Sequence, residues 1–461
     1  MTAVPRHLTN NPLAPTDALT SAFVQLVRLE NTNTNQIVVV RGILDASRLS
    51  AAVRRAAHSF PLLRARHSAD PDARPPLECT PLGVSLHDWD GPCDLHDEAF
   101  RDMLMTLSRC NRLDWLRRPP IQVYLVLARD GQSSCVYLTS AHAVADARSD
   151  CLLLARIMKE FAATEGADER SQVAKEEHGF ETLQAILPAW YTPHARLRRL
   201  VSAGCSIARD ILRSDQRLVC KRAPGIPHSD IDFFQSLVDT ETAAAIRHAS
   251  RHAGVTINTL FLAALIRLVE RSGARPMTRV TCALSLRNSL DAVYDQSFRN
   301  YLLPITIRTP RGMTDADLVG HVHEAMDAAR RPEALQRELG RLECMTQSVA
   351  MPFLDPLTRI VIGRAQGTNA CLSNPGVIRE DLSGFGPAHP TLQYVGFGCL
   401  LEPYDFVLYP PTVNGRLQLD VVYRRAAFRD IRKELVEPYR KELLGLLRSV
   451  SAAFTAEAKT I

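Results

Sequence analysis

Ser134-Cys-Val-Tyr-Leu-Thr-Ser-Ala-His-Ala-Val-Ala-Asp-Ala-Arg-Ser-Asp-Cys-Leu-Leu-Leu-Ala-Arg-Ile157 is the stretch from which the fold is read. Its first six residues are apolar and β-prone, and from Asp150 onward apolar residues recur at helical spacing. The pattern predicts a strand, a tight corner and a helix. His142 stands at the strand end, and Asp146 follows four residues on. A histidine in that place, with a structural carboxylate nearby, suits a general base and points to acyl transfer. The spacing alone is not selective, because His228–Asp232 and His323–Asp327 share it. The second of these lies in Asp315–Arg330, which reads as an amphipathic helix, so the pair is a solvated i,i+4 face. The first follows Pro224-Gly-Ile-Pro227 and reads as a turn leading into a strand. The plainer alternative for His142 itself is a satisfied histidine in a strand-to-helix loop.

A chain of 461 residues exceeds one ordinary core and suggests two domains of roughly 200 residues each. Its 46% apolar and 23% charged residues are those of a soluble globular protein. No run of about 18 apolar residues predicts a membrane span, and Met1–Asn10 lacks the apolar core of a signal peptide. Eleven cysteines occur without Cys-x-x-Cys or paired Cys/His spacing, which argues against zinc and against a disulfide framework. Reduced thiols and a cytoplasmic setting fit that pattern. A net charge of +5 suits an anionic partner such as coenzyme A or an acidic carrier, and is too small and dispersed for nucleic acid. There is no dinucleotide fingerprint, no phosphate loop and no Gly-x-Ser-x-Gly elbow.

Residues 1–14 read as a mobile lead-in. Ala22–Arg28 and Gln36–Arg41 read as strands, and Asp45 as the N-cap of a helix over 46–57. Pro61–Arg64 leads into an extended segment, 68–78 is a proline-rich loop, and Arg117-Arg-Pro-Pro120 opens a strand over 121–127. The alternation implies an α/β layer. No strand is expected over 165–225. Ala195–Leu212 reads there as a basic amphipathic helix, either a connector packed on one face or a contact for a membrane surface or carrier protein. Further on, a strand is expected over 231–238, then a helix capped at Asp239 or Thr240 and ended by Gly254. A second helix opens at Thr256. Strands follow over 276–285, 303–308, 406–409 and 417–423, with a last helix over about 431–453. The expected organisation is a lead-in (1–14), an N-terminal lobe (15–185), a connector (186–225) and a C-terminal lobe (226–461).

Several segments, in order along nearly the whole chain, carry a family resemblance. Gly42-Ile-Leu-Asp-Ala-Ser-Arg-Leu49 with Phe60-Pro-Leu-Leu-Arg64, and Gly254-Val-Thr-Ile-Asn-Thr-Leu260, are two of them. Others are Ser285-Leu-Arg287 followed by Arg299-Asn-Tyr301, the turn Ser373-Asn-Pro-Gly376, and Tyr404–Leu408 with Asp420–Phe428. Together they resemble the superfamily of chloramphenicol acetyltransferase, peptide-synthetase condensation domains and polyketide-associated acyltransferases, closest in style to the stand-alone alcohol acyltransferases.

The resemblance implies two acetyltransferase-like lobes, each a mixed β-sheet with flanking helices, and an active-site tunnel between them. It implies His142 as the base of an H-H-x-x-x-D-G motif, with Asp146 turned to an arginine, for which Arg287 is the candidate. It places Ala147, Ser373 and Asn374 near substrate. The donor would be acyl-CoA or a phosphopantetheine-linked acyl group, with no permanently bound cofactor. Any acyl carrier protein would come in trans. Ester formation on a hydroxyl acceptor is the first expectation, amide formation on an amine the second, and a non-catalytic acyl-carrier or intermediate binder the reading from another class. Two positions depart from the motif: Ala141 replaces its first histidine and Ala147 its glycine. Alanine resists backbone angles that glycine permits, so the corner must be ordinary at 147 or the site is altered.

Overall fold

The computed structural model describes residues 17–64, 83–115, 119–163, 181–349 and 355–457. The expected lead-in over 1–14, the extended segment after Arg64, the loop over 68–78, and Arg117 and Arg118 lie outside these residues. In chain order the elements begin α1 (Ala18–Leu26), β1 (Asn33–Arg41), α2 (Ala46–His58), α3 (Pro61–Arg64), β2 (Val84–Trp89), α4 (Glu98–Cys110), β3 (Ile121–Ala128), β4 (Ser133–Ala141), α5 (Ala147–Ala162), α6 (Leu183–Ile186) and α7 (Pro193–Ile211). They continue β5 (Ile231–Phe234), α8 (Thr240–His252), α9 (Ile257–Arg271), β6 (Met277–Ser285), β7 (Leu302–Pro310), α10 (Asp315–Ala329), α11 (Pro332–Val349) and α12 (Asp355–Gln366). The last are β8 (Ala370–Leu372), β9 (Thr391–Phe397), β10 (Phe406–Tyr409), β11 (Thr412–Val413), β12 (Arg416–Leu417), β13 (Asp420–Arg424) and α13 (Glu437–Glu457).

Two compact units result, and neither is a contiguous part of the chain. The first takes the described residues of Met1–Thr192 with Leu286–Tyr301 and Ile378–Cys399; the second takes Pro193–Ser285, Leu302–Val377 and Leu400–Ile461. This corrects the contiguous boundaries at 15–185, 186–225 and 226–461. Later segments return to the first unit because it needs an edge strand, β9, and the buried residues of 286–301. The range 186–225 is no separate connector, since α7 packs on α11 and α12 within the second unit.

The first unit is built on a five-stranded sheet of order β2-β3-β4-β1-β9. Only β2 and β3 run parallel; β1 pairs antiparallel with β4 from Asn33↔Ala141 to Arg41↔Ser133. Ile37, Val38, Val39 and Val40 of β1 are buried, as are Val136, Tyr137 and Leu138 of β4. These β-branched and aromatic side chains suit a pleated sheet covered on both faces. Helices α2 and α5 pack together beside it. Asp45 caps α2 by accepting from the Arg48 amide, as its spacing predicts.

The strand expected over 22–28 is instead α1. Asp17 caps it by accepting from the Thr20 amide, and Leu19, Ala22 and Val24 are buried. Short apolar runs do not separate helix from strand by period, and here the cap decides. Pro61–Arg64 is likewise a helical turn, α3.

The second unit has a six-stranded sheet of order β5-β13-β10-β8-β6-β7, with β8 parallel to both neighbours. Helix α9 is its apolar centre: Leu260, Phe261, Leu262, Ala263, Ala264, Leu265 and Ile266 are all buried. Asp239 and Thr256 cap α8 and α9, and Gly254 at φ 64° closes the turn between them. The strand expected over 417–423 is broken, because Gln418 and Leu419 leave the ladder between β12 and β13.

Candidate functional site

His142 is delivered by the end of β4. The Ala141 amide donates to the Pro120 carbonyl at 2.7 Å, and the His142 amide donates to the Thr32 carbonyl at 3.1 Å. The chain then turns: the Val144 and Ala145 amides both return to the Ala141 carbonyl. Asp146 is the N-cap of α5, with φ −110° and ψ 176°, and its side chain accepts from the Ser149 amide at 2.8 Å. Strand end, turn and cap therefore place a histidine and a carboxylate on one corner and send them in different directions.

The imidazole is only 7% exposed. Nδ1 lies 2.7 Å from the Ala145 carbonyl oxygen. A carbonyl only accepts, so Nδ1 carries the proton. The neutral ring then holds its lone pair on Nε2, which has no hydrogen-bond partner among the described residues. Burial pushes the imidazole below the ordinary histidine range, against the opposing pull of the Ala145 carbonyl and the Asp146 charge. The Phe23 ring covers it at 4.2 Å between centroids. Asn300 Nδ2 donates to the His142 carbonyl at 2.7 Å, fixing the backbone from the other side. The imidazole is thus neutral at pH 7, with its proton on Nδ1.

Asp146 serves another purpose. Its Oδ1 accepts from the Ser149 amide and from Arg287 Nη2 at 3.1 Å; its Oδ2 accepts from the Tyr301 amide at 3.1 Å. Burial alone would raise this carboxyl, and Arg287 with the Ser149 donors outweighs it, so the group lies below the usual carboxylate range. Arg287 is itself satisfied. Nη1 donates to the Tyr294 and Ser297 carbonyls, Nη2 to the Arg299 carbonyl at 2.8 Å and to Ser149 Oγ at 3.0 Å. Its guanidinium also sits 4.7 Å over the Tyr301 ring. A buried ion pair with every donor and acceptor engaged is a rigid strut.

The chain aligns with the cyclization-docking bidomain of the EpoB peptide synthetase from Sorangium cellulosum at TM-score 0.67 and 15% identity, over 97% of this chain and 87% of that one. The first condensation domain of the calcium-dependent antibiotic synthetase gives 0.66 at 17% identity, over 94% and 96%. A double mutant of the starter condensation domain of rhizomide synthetase, crystallised with C8-CoA and Leu-SNAC, gives 0.65 at 14% identity, over 96% of both chains. The chain has the condensation-domain fold. That is the chloramphenicol acetyltransferase-like fold the sequence resembles. No protein-family model and no curated protein matches the sequence.

Within this condensation-domain fold, His142, Asp146 and Arg287 come together, all in the first unit. Ala147 is the first residue of α5 and has no positive φ. A glycine's freedom is not required there, and the corner is ordinary. Ser373 and Asn374 belong to the second unit. The Ser373 amide donates to the Leu408 carbonyl, and Asn374 Oδ1 accepts from the Gly376 amide at 2.8 Å. Asn374 thus shapes a turn that Gly376, at φ 77°, completes. Of the other two His–Asp pairs with this spacing, His323 Nε2 meets Asp327 Oδ2 at 3.5 Å on the exposed face of α10. Asp232 sits on β5 and binds Tyr423 and Arg425.

Sequence reading missed four residues. Ser149 Oγ accepts from Arg287 and from the Arg299 amide; its one proton serves either Asp146 Oδ1 (2.9 Å) or the Arg299 carbonyl (2.8 Å). Asn300 holds His142, and Phe23 covers it. Asp17 anchors Arg299 at 2.6 Å. Only Arg299-Asn-Tyr301 had a signal, through the resemblance.

Proposed function

We propose that the chain is an acyltransferase that moves an acyl group from a pantetheine thioester to a hydroxyl acceptor. His142 Nε2 takes the hydroxyl proton as the acceptor oxygen attacks the thioester carbonyl. The carbon–sulfur bond breaks, the ester forms, and the proton passes to the departing thiolate. The observation that carries this reading is the Ala145 carbonyl on Nδ1, which leaves Nε2 as the proton acceptor of a buried, neutral imidazole. Asp146 is a positioning residue in this scheme, because its oxygens are committed to Arg287, Ser149 and Tyr301. Much of the acceleration comes from holding donor and acceptor together. The donor is acyl-CoA or a phosphopantetheine-linked acyl group on a carrier supplied in trans. The C8-CoA bound to the rhizomide starter domain supports a thioester donor. Amide formation on an amine acceptor is the second reading, favoured by the peptide-synthetase domains that share the fold.

The test is acceptor-dependent thiol release, with product mass, from acyl-CoA and carrier-bound donors against mixed alcohols and amines. Wild type should release thiol only with an acceptor, and His142→Ala should lower the rate by roughly 10²- to 10⁴-fold. Product mass separates ester from amide. Donor binding without release in wild type would make the chain a binder, and release unchanged in His142→Ala would remove His142 from the mechanism.

A further inference from the structure

Helix α7 buries one face and offers the other. Arg199 points inward to Glu343 at 2.8 Å. Gly340 lets α11 approach there, since a Cβ at that glycine would meet Arg199 and Ala203. Asp210, the one carboxylate of α7, also turns inward and accepts from Arg279 and Arg341. The outward face is left with no acid. It carries Leu197 (65% exposed) and Val201 (58%), and Leu212 (87%) continues it one residue past the helix end, its amide donating to the Ala208 carbonyl, with exposed Cys205 and Ala208 among them. At 100° per residue these five fall within one arc of about 80°. Arg198 and Arg209 are exposed along one edge of that arc.

An inward-facing amphipathic helix normally shows water its polar side. This one shows water a second apolar stripe, rimmed by arginine. We infer that α7 docks the protein on an anionic lipid bilayer surface. The stripe runs about 23 Å along the helix and is roughly 10 Å wide. That strip is well short of the ~800 Å² per partner of a stable protein interface. It also lacks the aromatic anchors that carry protein–protein binding. Aliphatic side chains beside arginines match a helix lying in a membrane interface, the leucines and valine entering the acyl boundary and the guanidiniums meeting phosphates. Charge complementarity selects an anionic surface over a zwitterionic one.

The test is cosedimentation of the full chain with phosphatidylcholine vesicles and with vesicles one-quarter phosphatidylglycerol. Binding to the anionic vesicles should exceed binding to the neutral ones by at least about 10-fold at low salt and fall as salt rises. Arg198→Glu with Arg209→Glu should remove at least about 10-fold of it, and Leu212→Asp should weaken it independently. Both substitutions are at exposed positions, so the thermal midpoint should be unchanged. Leu197→Trp should add blue-shifted emission on anionic vesicles alone. Equal binding to both vesicles, no binding, or binding unaffected by the variants would overturn the inference. Capture of poly-glutamate without vesicle binding would assign the face to an acidic protein and overturn it equally.

Discussion

His142–Asp146 and His323–Asp327 have the same spacing and opposite fates. At 323–327 both residues lie within α10, so the side chains meet across one turn, 3.5 Å apart and partly in water. At 142–146 a turn lies between them, with His142 just past the strand end and Asp146 as the helix cap. The aspartate then turns to its own helix amides and to Arg287, and the histidine finds the Ala145 carbonyl instead. The difference lies in which side of a helix start the aspartate occupies. A histidine paired with a carboxylate across a helix turn is a solvated surface contact. A histidine parted from its carboxylate by a cap keeps Nε2 for chemistry while the carboxylate builds the frame.

Removing each aspartate should expose that difference most strongly. Asp146→Ala strips the cap of α5 and leaves Arg287 buried without its anion, a loss of about 3–5 kcal/mol in urea unfolding. Asp327→Ala should change stability by no more than about 0.5 kcal/mol. Equal losses would mean that the buried pair is not the strut described.

A second carboxylate on α5 sharpens the contrast. Asp150 is fully buried and has no cation among the described residues; Thr34, Ser140 and Gln36 approach it without closing a hydrogen bond of ordinary geometry. Burial pushes its carboxyl up to about 7, against those neighbours. The group stays protonated in the fold until pH nears 7 and ionises first in the unfolded chain, near its ordinary 3.8. Its stability contribution is thus complete below that value and is lost as pH rises toward 7. Asp150→Asn should remove this loss and gain about 4 kcal/mol at pH 7.5, with little change at pH 4. Parallel stability curves for wild type and variant between pH 4 and 7.5 would contradict it.

Much of the frame was legible locally. The caps Asp45, Asp239 and Thr256 and the β-branched core strands announce themselves within a few residues. Helix α1 was misread although its Asp17 cap is local, and the two strands that escaped reading have their pairing decided elsewhere in the chain. Strand β9 pairs with β1 from more than 350 residues away, and β2 is a half-exposed edge whose Ser-Leu-His-Asp has no clear period. In the site, His142 and Asp146 were readable from a strand-to-helix switch, and Arg287 through the resemblance. Ser149, Phe23 and Asp17 were not, because a serine, a phenylalanine and an aspartate become a clamp, a cover and an anchor only when the corner meets residues 299–301.

The smallest effect concerns the motif's missing glycine. With Ala147 at the first position of α5, Ala147→Gly should lower stability by about 0.5 kcal/mol and leave thiol release within about twofold. A large gain in activity would mean that the corner must move to work.

The central claim is that His142 is neutral with its proton on Nδ1. Long-range proton–nitrogen NMR of imidazole-labelled protein, with the His142 signals assigned by their loss in His142→Gln, measures this without any substrate. An Nδ1–H tautomer at pH 7 that titrates below 6.5 is expected, shifting upward toward 6.5 in Phe23→Ala as water reaches the ring. An Nε2–H tautomer, or a titration at or above 6.5 in the wild type, would contradict it.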